Sequence, residues 1–324
     1  MKCKICQSND TTLIEDFTPY VDKDWKFPIY DCNNCFTRFA IRANDINYHN
    51  LLHEAKDQNN YNAHYELAQM VSVSIDTNKI NECERALRKN NHMHGQVLDY
   101  IARNNIKTPR VLELGCSSGY FTAFLNAKGV EAYGSDISIA AISKAKDIFP
   151  NYSAVFSQMP QHDQYDIIFH KGVISCVDNP VEFLESNLKM LKPNGRLIFN
   201  MSSVNSTRKL NEIWASTPPP DVIYLFHEKA MKYFIKDTKQ YQLTIDKHVN
   251  YFMLFKKHLS LSKGNSFNSY PRKFSIEKQA SKKNLIVSIA VLVVSTFVRL
   301  LVIVKLLKTI DEDFGTVVKI EKVQ

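Results

Sequence analysis

The stretch VLELGCSSGYFTAFLNAKGVEAYGSDIS, residues 111–138, decides the fold class of this chain. It opens as a short apolar run, turns through glycine and serine, and reaches Asp136 after a second strand-like segment. Gly115 and Gly119 remove side chains where the backbone turns tightly and approaches a ligand. Asp136 lies about twenty residues further on, where a carboxylate accepts hydrogen bonds from the hydroxyls of a ribose. The stretch therefore predicts a nucleotide-like ligand at a sheet edge.

The same strand and helix rhythm continues along the chain. Its successive segments are YFTAFLNAKG, VEAYGSD, SIAAISKAKDIFP, YSAVFS, YDIIFH, PVEFLESNLKMLKPNG and RLIFNM. Strands that alternate with helices of about ten to fifteen residues predict a doubly wound parallel α/β sheet. LKPNG predicts a helix stop and a turn. Further on we predict a helix near Glu228 to Lys236, a strand near QLTIDKHVNYF and a closing strand in FGTVVKIEKV.

Length and composition indicate a folded protein with more than one region. The chain has 324 residues and 44% hydrophobic content, which is enough to fill a core. We predict four parts along the chain: a zinc-ribbon-like module at 1–43, a helical lead-in at 44–106, the α/β domain at 107–251 plus 312–324, and a basic and apolar helical insert at 252–311. The start MKCKICQSND has no apolar core or cleavage site, so it predicts a cytoplasmic location.

Two C-x-x-C pairs, CKIC and CNNC, lie close together near the N-terminus. They supply the predicted metal ligands Cys3, Cys6, Cys32 and Cys35. In a reducing compartment such pairs favour a metal over disulfides. Two knuckles complete a closed tetrahedral shell of sulfurs, so we expect one structural zinc with no open catalytic position. The loop between the pairs has room for a small hairpin.

The glycine turn lacks the G-x-G-x-x-G pattern of dinucleotide sites and the lysine of a P-loop. Its ELGCSSG, followed by GSDIS and then YDIIFHKGVISCVDNPVEFLESNLKMLKPNGRLIFN, resembles the successive motifs of class I S-adenosylmethionine-dependent methyltransferases. The resemblance covers about residues 95 to 237 and also fits the terminal strand. It implies a Rossmann-like, mostly parallel sheet with an antiparallel closing strand, and S-adenosyl-L-methionine as the cofactor.

The resemblance also implies roles for individual residues. Glu113 would fix the loop or the cofactor amino group, Asp136 would hold the ribose hydroxyls, and Ile137 would flank the adenine. His170 and Lys171 occupy the family's position beside the methionine moiety. The full predicted cofactor set is Glu113, Gly115, Cys116, Ser117, Gly119, Asp136, Ile137, His170 and Lys171.

A hydroxyl acceptor needs a base near the transferred methyl group. Related sequences often carry Glu-His before the proline after the fourth strand, whereas this chain reads SCVDNP there. The remaining catalytic candidates are His170, Asp178 and His227, and a packing or surface role for each is about equally plausible. No NPPY or DPPY segment is present, which argues against amino methyltransferases.

The order of the parts is similar to bacterial methyltransferases of sugar and cell-surface polysaccharide pathways. That resemblance implies O-methylation of a carbohydrate or nucleotide-sugar acceptor, with Asp221 and His227 on the substrate side. A zinc-headed RNA base methyltransferase is the competing reading, and the net charge of +8 agrees with it. Against it, DFTPYVDKDWKFPIYD mixes acids with its aromatics, which suits a phosphate backbone poorly. A non-catalytic cofactor-binding scaffold is a further alternative.

The insert combines lysines and arginines from 256 to 283 with an apolar run from Leu285 to Leu307. Arg299 lies inside that run, and a membrane crossing would separate the closing strand from its sheet. We therefore expect a buried or oligomer-forming helix pair. The alternative is peripheral membrane contact through residues 256–307, helped by the basic residues.

Overall fold

The computed structural model describes residues 1–18, 26–41, 59–90, 92–104, 108–202, 204, 219–235, 239–247 and 316–323. The basic and apolar insert predicted for 252–311 lies outside these residues, as do 42–58 of the predicted module and lead-in. Within the described ranges, no helix has both the length and the apolar content needed to cross a bilayer.

Residues 1–41, here called the four-cysteine head, form a small antiparallel sheet. Strand β1 (Thr11–Phe17) pairs with β2 (Phe27–Cys32), and β3 (Arg38–Ala40) lies on the other side of β2. The hairpin expected between the two cysteine pairs is thus confirmed. From Phe27 to Tyr30, β2 alternates buried and partly buried side chains, as a strand covered on one face does.

Three helices follow in the region predicted as a helical lead-in. They are α1 (Asn59–Asp76), α2 (Ile80–Asn90) and α3 (His92–Arg103). Apolar side chains on these helices are buried, with Val71 and Val97 fully inaccessible. These helices share a hydrophobic core with one face of the main sheet.

The rest of the described chain builds a seven-stranded main sheet with helices on both faces. The strands that follow the three helices are β4 (Arg110–Leu114), β5 (Glu131–Ser135), β6 (Phe156–Ser157), β7 (Tyr165–Lys171), β8 (Leu191–Asn200), β9 (Tyr224–Leu225), β10 (Tyr241–Lys247) and β11 (Thr316–Lys322). All of them except β9 belong to the main sheet. The strand order is β10-β11-β8-β7-β4-β5-β6. The crossover helices are α4 (Tyr120–Ala127), α5 (Ile139–Ile148) and α6 (Pro180–Lys189).

Strands β6, β5, β4, β7 and β8 run parallel, and β11 is antiparallel to β8. This confirms the Rossmann-like fold with an antiparallel closing strand. From β4 the chain crosses to β5, its neighbour on one side, while β7 is the neighbour of β4 on the other side. A ligand crevice is expected at such a switch point, outside the carboxyl ends of the strands.

The head does not stand apart from this sheet. β9 pairs with β3 through Arg38↔Leu225 and Phe39↔Tyr224, so the head sheet has the order β1-β2-β3-β9. Head side chains and one face of the main sheet form one hydrophobic core, which includes Ile29 and Phe199. The head is therefore bonded to the segment that follows β8 in the sequence.

Three local predictions differ from the structure. LKPNG follows the end of α6 at Lys189, so the predicted helix stop is confirmed, but the turn lies within β8, whose pairing with β7 jumps from Leu191 to Arg196. YSAVFS is mostly the 3-10 helix Pro150–Val155, with a strand only at Phe156–Ser157. The helix predicted near Glu228 is a 3-10 helix, Glu228–Tyr233.

Candidate functional site

Residues 115–119, here called the glycine loop, join β4 to α4 at the switch point. Gly115 and Gly119 have φ of 68° and 69°, in the left-handed region that favours glycine. A Cβ at Gly115 would lie 2.4 Å from Cγ2 of Val173, and one at Gly119 would lie 2.5 Å from the Phe156 ring. The structure therefore needs these glycines for backbone shape and for packing against protein, whereas the sequence suggested close approach of a ligand.

Asp136, at the end of β5, holds the glycine loop in place. The backbone N–H of Ser117 donates to Oδ2 of Asp136 at 2.9 Å, and the N–H of Ser138 donates to Oδ1 at 2.9 Å. Each carboxylate oxygen accepts up to two hydrogen bonds, so one acceptor position on each remains for a ligand. Asp136 is half-buried and can hold two vicinal hydroxyls while it fixes the loop.

Glu113 is buried beneath the loop. The backbone N–H and the hydroxyl of Thr122 both donate to its Oε2, at 3.1 and 2.6 Å. Burial raises the pKa of Glu113 to about 7, and the Thr122 hydrogen bonds and the charge of Lys171 oppose that rise. Glu113 thus ties β4 to α4 through Thr122.

The residues around the loop fit a nucleoside-bearing cofactor. Oγ of Ser117 is buried and has no hydrogen-bond partner among the described residues, so it is a polar atom suited to a ligand. Ile137 and Met159 are 61% and 72% exposed beside Asp136 and β6, and they offer an apolar surface for a flat base.

Lys171 ends β7 and lies next to the glycine loop. Its side chain is exposed, yet the protein around its ammonium group lowers its pKa, while the charge of Glu113 works in the opposite direction. The charge of Lys171 also acts on His94, whose pKa is lowered to about 3, chiefly by burial. His94 packs on Phe121 with ring centroids 4.1 Å apart. His94 is thus neutral and packed in the protein interior.

Tyr65 of α1 is a site residue that the sequence analysis missed. Burial and the nearby charge of Asp136 raise the pKa of Tyr65 to about 12, so its hydroxyl stays protonated. Lys144 lies over the Tyr65 ring at 4.4 Å. The hydroxyl of Ser118 donates to the carbonyl of His64 at 3.1 Å, which fixes α1 to the glycine loop. Tyr65 lies in the predicted helical lead-in, but no motif marked its residues as part of a site.

His170 lies in the core and not at the site. It has no accessible surface, and its ring stacks on Phe199 at 4.9 Å and meets Phe183 edge-on at 5.2 Å. Burial lowers its pKa to about 3, and neither ring nitrogen has a hydrogen-bond partner among the described residues. This placement favours the packing role over both catalysis and cofactor contact.

The other two catalytic candidates are also separated. Asp178 is exposed, and its backbone carbonyl accepts a hydrogen bond from the Tyr224 hydroxyl at 3.1 Å. His227 turns toward the head: its ring lies 5.5 Å from that of Phe36, and its Nδ1 accepts a hydrogen bond from the Lys229 N–H at 3.1 Å. The structure does not bring His170, Asp178 and His227 together.

The carboxylate of Asp221, which is not one of the three catalytic candidates, lies against the loop after β7. Residues 219–227, here called the proline segment, begin with a cis peptide between Pro219 and Pro220. Oδ1 of Asp221 lies 3.7 Å from Sγ of Cys176. The backbone N–H of Ile223 donates to the Ser175 carbonyl at 2.8 Å. Because Val173 of the same loop packs on Gly115, Asp221 stands beside a segment that touches the glycine loop.

The four cysteines converge in the head. Their sulfur atoms all lie within 4.8 Å of one another. Both knuckles have the same backbone: Gln7 N–H donates to the Cys3 carbonyl, Phe36 N–H donates to the Cys32 carbonyl, and both donors have φ near 60°. Two equivalent turns thus aim four thiol groups at one point, which fits a tetrahedral metal site.

Comparison with known proteins finds a family model and several enzymes to which this chain is similar. Residues 87–239, a little under half of the chain, match the family model described as a methyltransferase domain. The ubiquinone biosynthesis O-methyltransferase of Rickettsia typhi is 26% identical over 201 residues, which cover 52% of this chain and 80% of that protein. The one from Pasteurella multocida is 24% identical over 164 residues, covering 44% of this chain and 63% of its own length.

Among solved structures, this chain is similar to the plantazolicin methyltransferase BpumL in complex with SAH. The two are 15% identical with a TM-score of 0.39, and the match covers 81% of this chain and 97% of that one. The glycine loop, Asp136 and Glu113 lie inside the matched 87–239 region, at the switch point of the sheet. This chain is therefore a methyltransferase enzyme, with a class I S-adenosylmethionine-dependent methyltransferase domain.

Proposed function

We propose that this enzyme methylates a hydroxyl oxygen of a small polyhydroxylated acceptor, of the sugar or nucleotide-sugar class. The observation that carries the proposal is the carboxylate of Asp221, which lies beside Cys176 on the loop that contacts the glycine loop. A neutral hydroxyl must lose a proton as it is methylated, so a carboxylate on this side suits an oxygen acceptor. The two relatives described above are named O-methyltransferases, which supports the same atom.

Each part of the site has a proposed role toward the cofactor. Bound S-adenosylmethionine supplies a methyl group on a positively charged sulfur, which leaves as a neutral thioether. Asp136 holds the ribose hydroxyls, Ile137 and Met159 flank the adenine, and Ser117 contributes a further hydroxyl. Tyr65 covers the ribose side from α1. Glu113 and Lys171 lie toward the methionine end, where a carboxylate and an ammonium group complement the amino-acid moiety.

The chain's own residues then set up the displacement. The loop after β7 and the proline segment would hold the acceptor hydroxyl beside the glycine loop, where the cofactor would supply its methyl group. Asp221 would accept the proton that the acceptor hydroxyl loses when its oxygen takes the methyl group. His94 and Tyr120, both buried, exclude water behind the reacting atoms.

We also propose that Cys3, Cys6, Cys32 and Cys35 bind one structural zinc ion. The support is the closed set of four sulfurs on two equivalent turns. Such an ion stabilises a module that is too small to depend on its own core. Metal analysis of the purified protein should find about one zinc per chain, and a stoichiometry near zero would overturn this assignment.

The base is tested with Asp221→Asn, which keeps the shape of the side chain and removes the proton acceptor. We expect kcat to fall by about 100-fold with the affinity for S-adenosylmethionine within about twofold. Asp147→Asn, an exposed aspartate on α5, is the matched control and should leave both unchanged. A larger loss in Asp178→Asn or His227→Gln than in Asp221→Asn would contradict the choice of Asp221.

The acceptor class is tested with isotopically labelled S-adenosylmethionine and three acceptor pools: nucleotide sugars, phenols and unmodified RNA. We expect label in the nucleotide-sugar pool, as an ether that resists mild alkali. A phenolic hydroxyl is the second candidate, because the relatives are named for ubiquinone biosynthesis. Label in RNA alone would overturn the small-molecule acceptor.

A further inference from the structure

The second cysteine knuckle of the head contacts the 3-10 helix that follows the proline segment. The Nδ2 group of Asn34 donates to the hydroxyl of Tyr233 at 2.9 Å. The exposed ring of Phe36 lies 4.2 Å from Nζ of Lys229 and 5.5 Å from the ring of His227. Both head residues lie within or directly after the C-x-x-C turn, so the turn that presents thiols also grips this helix.

Backbone hydrogen bonds extend the connection to the methyltransferase sheet. The Ala40 N–H donates to the Ile223 carbonyl at 2.9 Å, and β3 pairs with β9 on the adjoining residues. The Ile223 N–H donates in turn to the Ser175 carbonyl at 2.8 Å. A single residue, Ile223, is therefore bonded to the head on one side and to the loop after β7 on the other.

A second connection runs beside the first. The Phe226 N–H donates to the Ser202 carbonyl at 2.7 Å, and the Ser202 N–H donates to Oγ of Ser175 at 3.0 Å. Phe226 is fully buried, as is Ile29 of the head, in the core that the head shares with the main sheet. The position of Asp221 thus depends on residues held by the head. The bonds that hold Asp136 and Glu113 run instead among β4, α4 and β5.

We propose that the four-cysteine head is a positioning element for the acceptor side of the methyltransferase site. Metal in the knuckles fixes the turn that carries Asn34 and Phe36, and this turn fixes the proline segment over the loop after β7. Asn34 and Phe36 are positioning residues. The proposal rests on the zinc site proposed above, and it predicts that the head governs the proline segment without governing the cofactor side.

The contact is tested with the double variant Asn34→Ala, Phe36→Ala in the full-length protein. Its matched control is Leu13→Ala, which removes another exposed apolar side chain of the head. All four cysteines stay in place, so zinc content should equal that of the parent. We expect amide hydrogen exchange in 172–176 and 219–226 to speed up by about tenfold in the double variant, with 113–119 unchanged. Leu13→Ala should leave all of these segments unchanged.

Binding of S-adenosylhomocysteine, measured by calorimetry, provides the second readout, and we expect the same affinity in all three proteins. Unchanged exchange in 219–226 would overturn the proposal. Faster exchange that includes 113–119 would overturn it as well, because the head would then be a general stabiliser. If the parent itself fails to bind S-adenosylhomocysteine, the assigned cofactor is at fault, while the exchange data still judge the role of the head.

Metal removal provides an independent test that changes no residue. The holoprotein is treated with a chelator and reconstituted with zinc alone. We expect loss of metal to speed up exchange in 219–226 and in 172–176, and zinc to restore the parent rates. Exchange that rises only within residues 1–41 would show an autonomous head and would overturn the proposal.

Discussion

The cofactor side and the acceptor side of the site are built in opposite ways. Hydrogen bonds around Asp136 and Glu113 join residues 2 to 19 positions apart in the sequence. Contacts that place the proline segment and its 3-10 helix join residues 22 to 199 positions apart. Because residues close in sequence form the cofactor loop, one short motif identifies it. The acceptor side depends on contacts between segments that are distant in sequence.

The largest effect is expected from Asp136→Ala. The variant loses both oxygens that we propose hold the ribose, and these oxygens are also the acceptors for the Ser117 and Ser138 amides. Each hydrogen bond to a charged group contributes about 1.5–3 kcal/mol, so loss of two predicts at least about 100-fold weaker binding of S-adenosylmethionine. Calorimetric titration measures it, with Asp147→Ala as the control. Equal affinity in parent and Asp136→Ala would show that the local motif does not hold the cofactor.

The same contrast explains what the sequence could predict. The apolar runs of β4, β5 and β7 and the turn at Gly115 predicted the parallel sheet and the cofactor loop, since each signal is contained in a few adjacent residues. β9 could not be predicted, because it has two residues, Tyr224–Leu225, and forms only through pairing with β3. Tyr65 was missed for a related reason: its importance comes from lying near Asp136, far along the chain.

The catalytic candidates show the limit of residue type as a signal. His170 follows the fourth predicted strand, and its position resembled that of a family residue beside the methionine moiety. Alternation along β7 instead turns its ring toward Phe183 and Phe199. Asp221 has no motif around it beyond the prolines, and only the folded chain shows it beside Cys176. The face of a strand and the partner across a cleft are three-dimensional properties.

The next effect separates packing from backbone shape within the cofactor side. Gly119→Ala and Gly129→Ala both place a side chain at positive φ, which costs about 1–2 kcal/mol. Only Gly119→Ala also drives a Cβ to 2.5 Å from the buried Phe156 ring, whereas nothing lies within 4 Å at Gly129. We expect the free energy of unfolding to fall by about 1–3 kcal/mol more in Gly119→Ala. Denaturant unfolding measures both, and equal losses would show that the loop yields to the added methyl group.

The smallest effect on turnover is expected from His170→Phe, which tests whether His170 takes part in cofactor binding or catalysis. A phenyl ring can keep the stacking on Phe199 and the edge contact with Phe183. We therefore expect kcat and the affinity for S-adenosylmethionine to stay within about twofold of the parent. A large loss of either would return His170 to the site and would extend the cofactor side into this core.

The pH dependence of stability gives the same variant a second, independent readout. The pKa of buried His170 is lowered to about 3, below the ordinary value of 6.5, so below pH 6.5 the unfolded chain binds a proton that the folded chain does not. His170 thus contributes stability that is present above pH 6.5 and is lost as the pH falls toward about 3. At pH 5 this loss is about 2 kcal/mol, since each pH unit in the window is worth about 1.4 kcal/mol. His170→Phe lacks it, so its free energy of unfolding should fall less than that of the parent between pH 7 and pH 5. Parallel curves would show that the ring reaches solvent and takes up its proton in the folded protein.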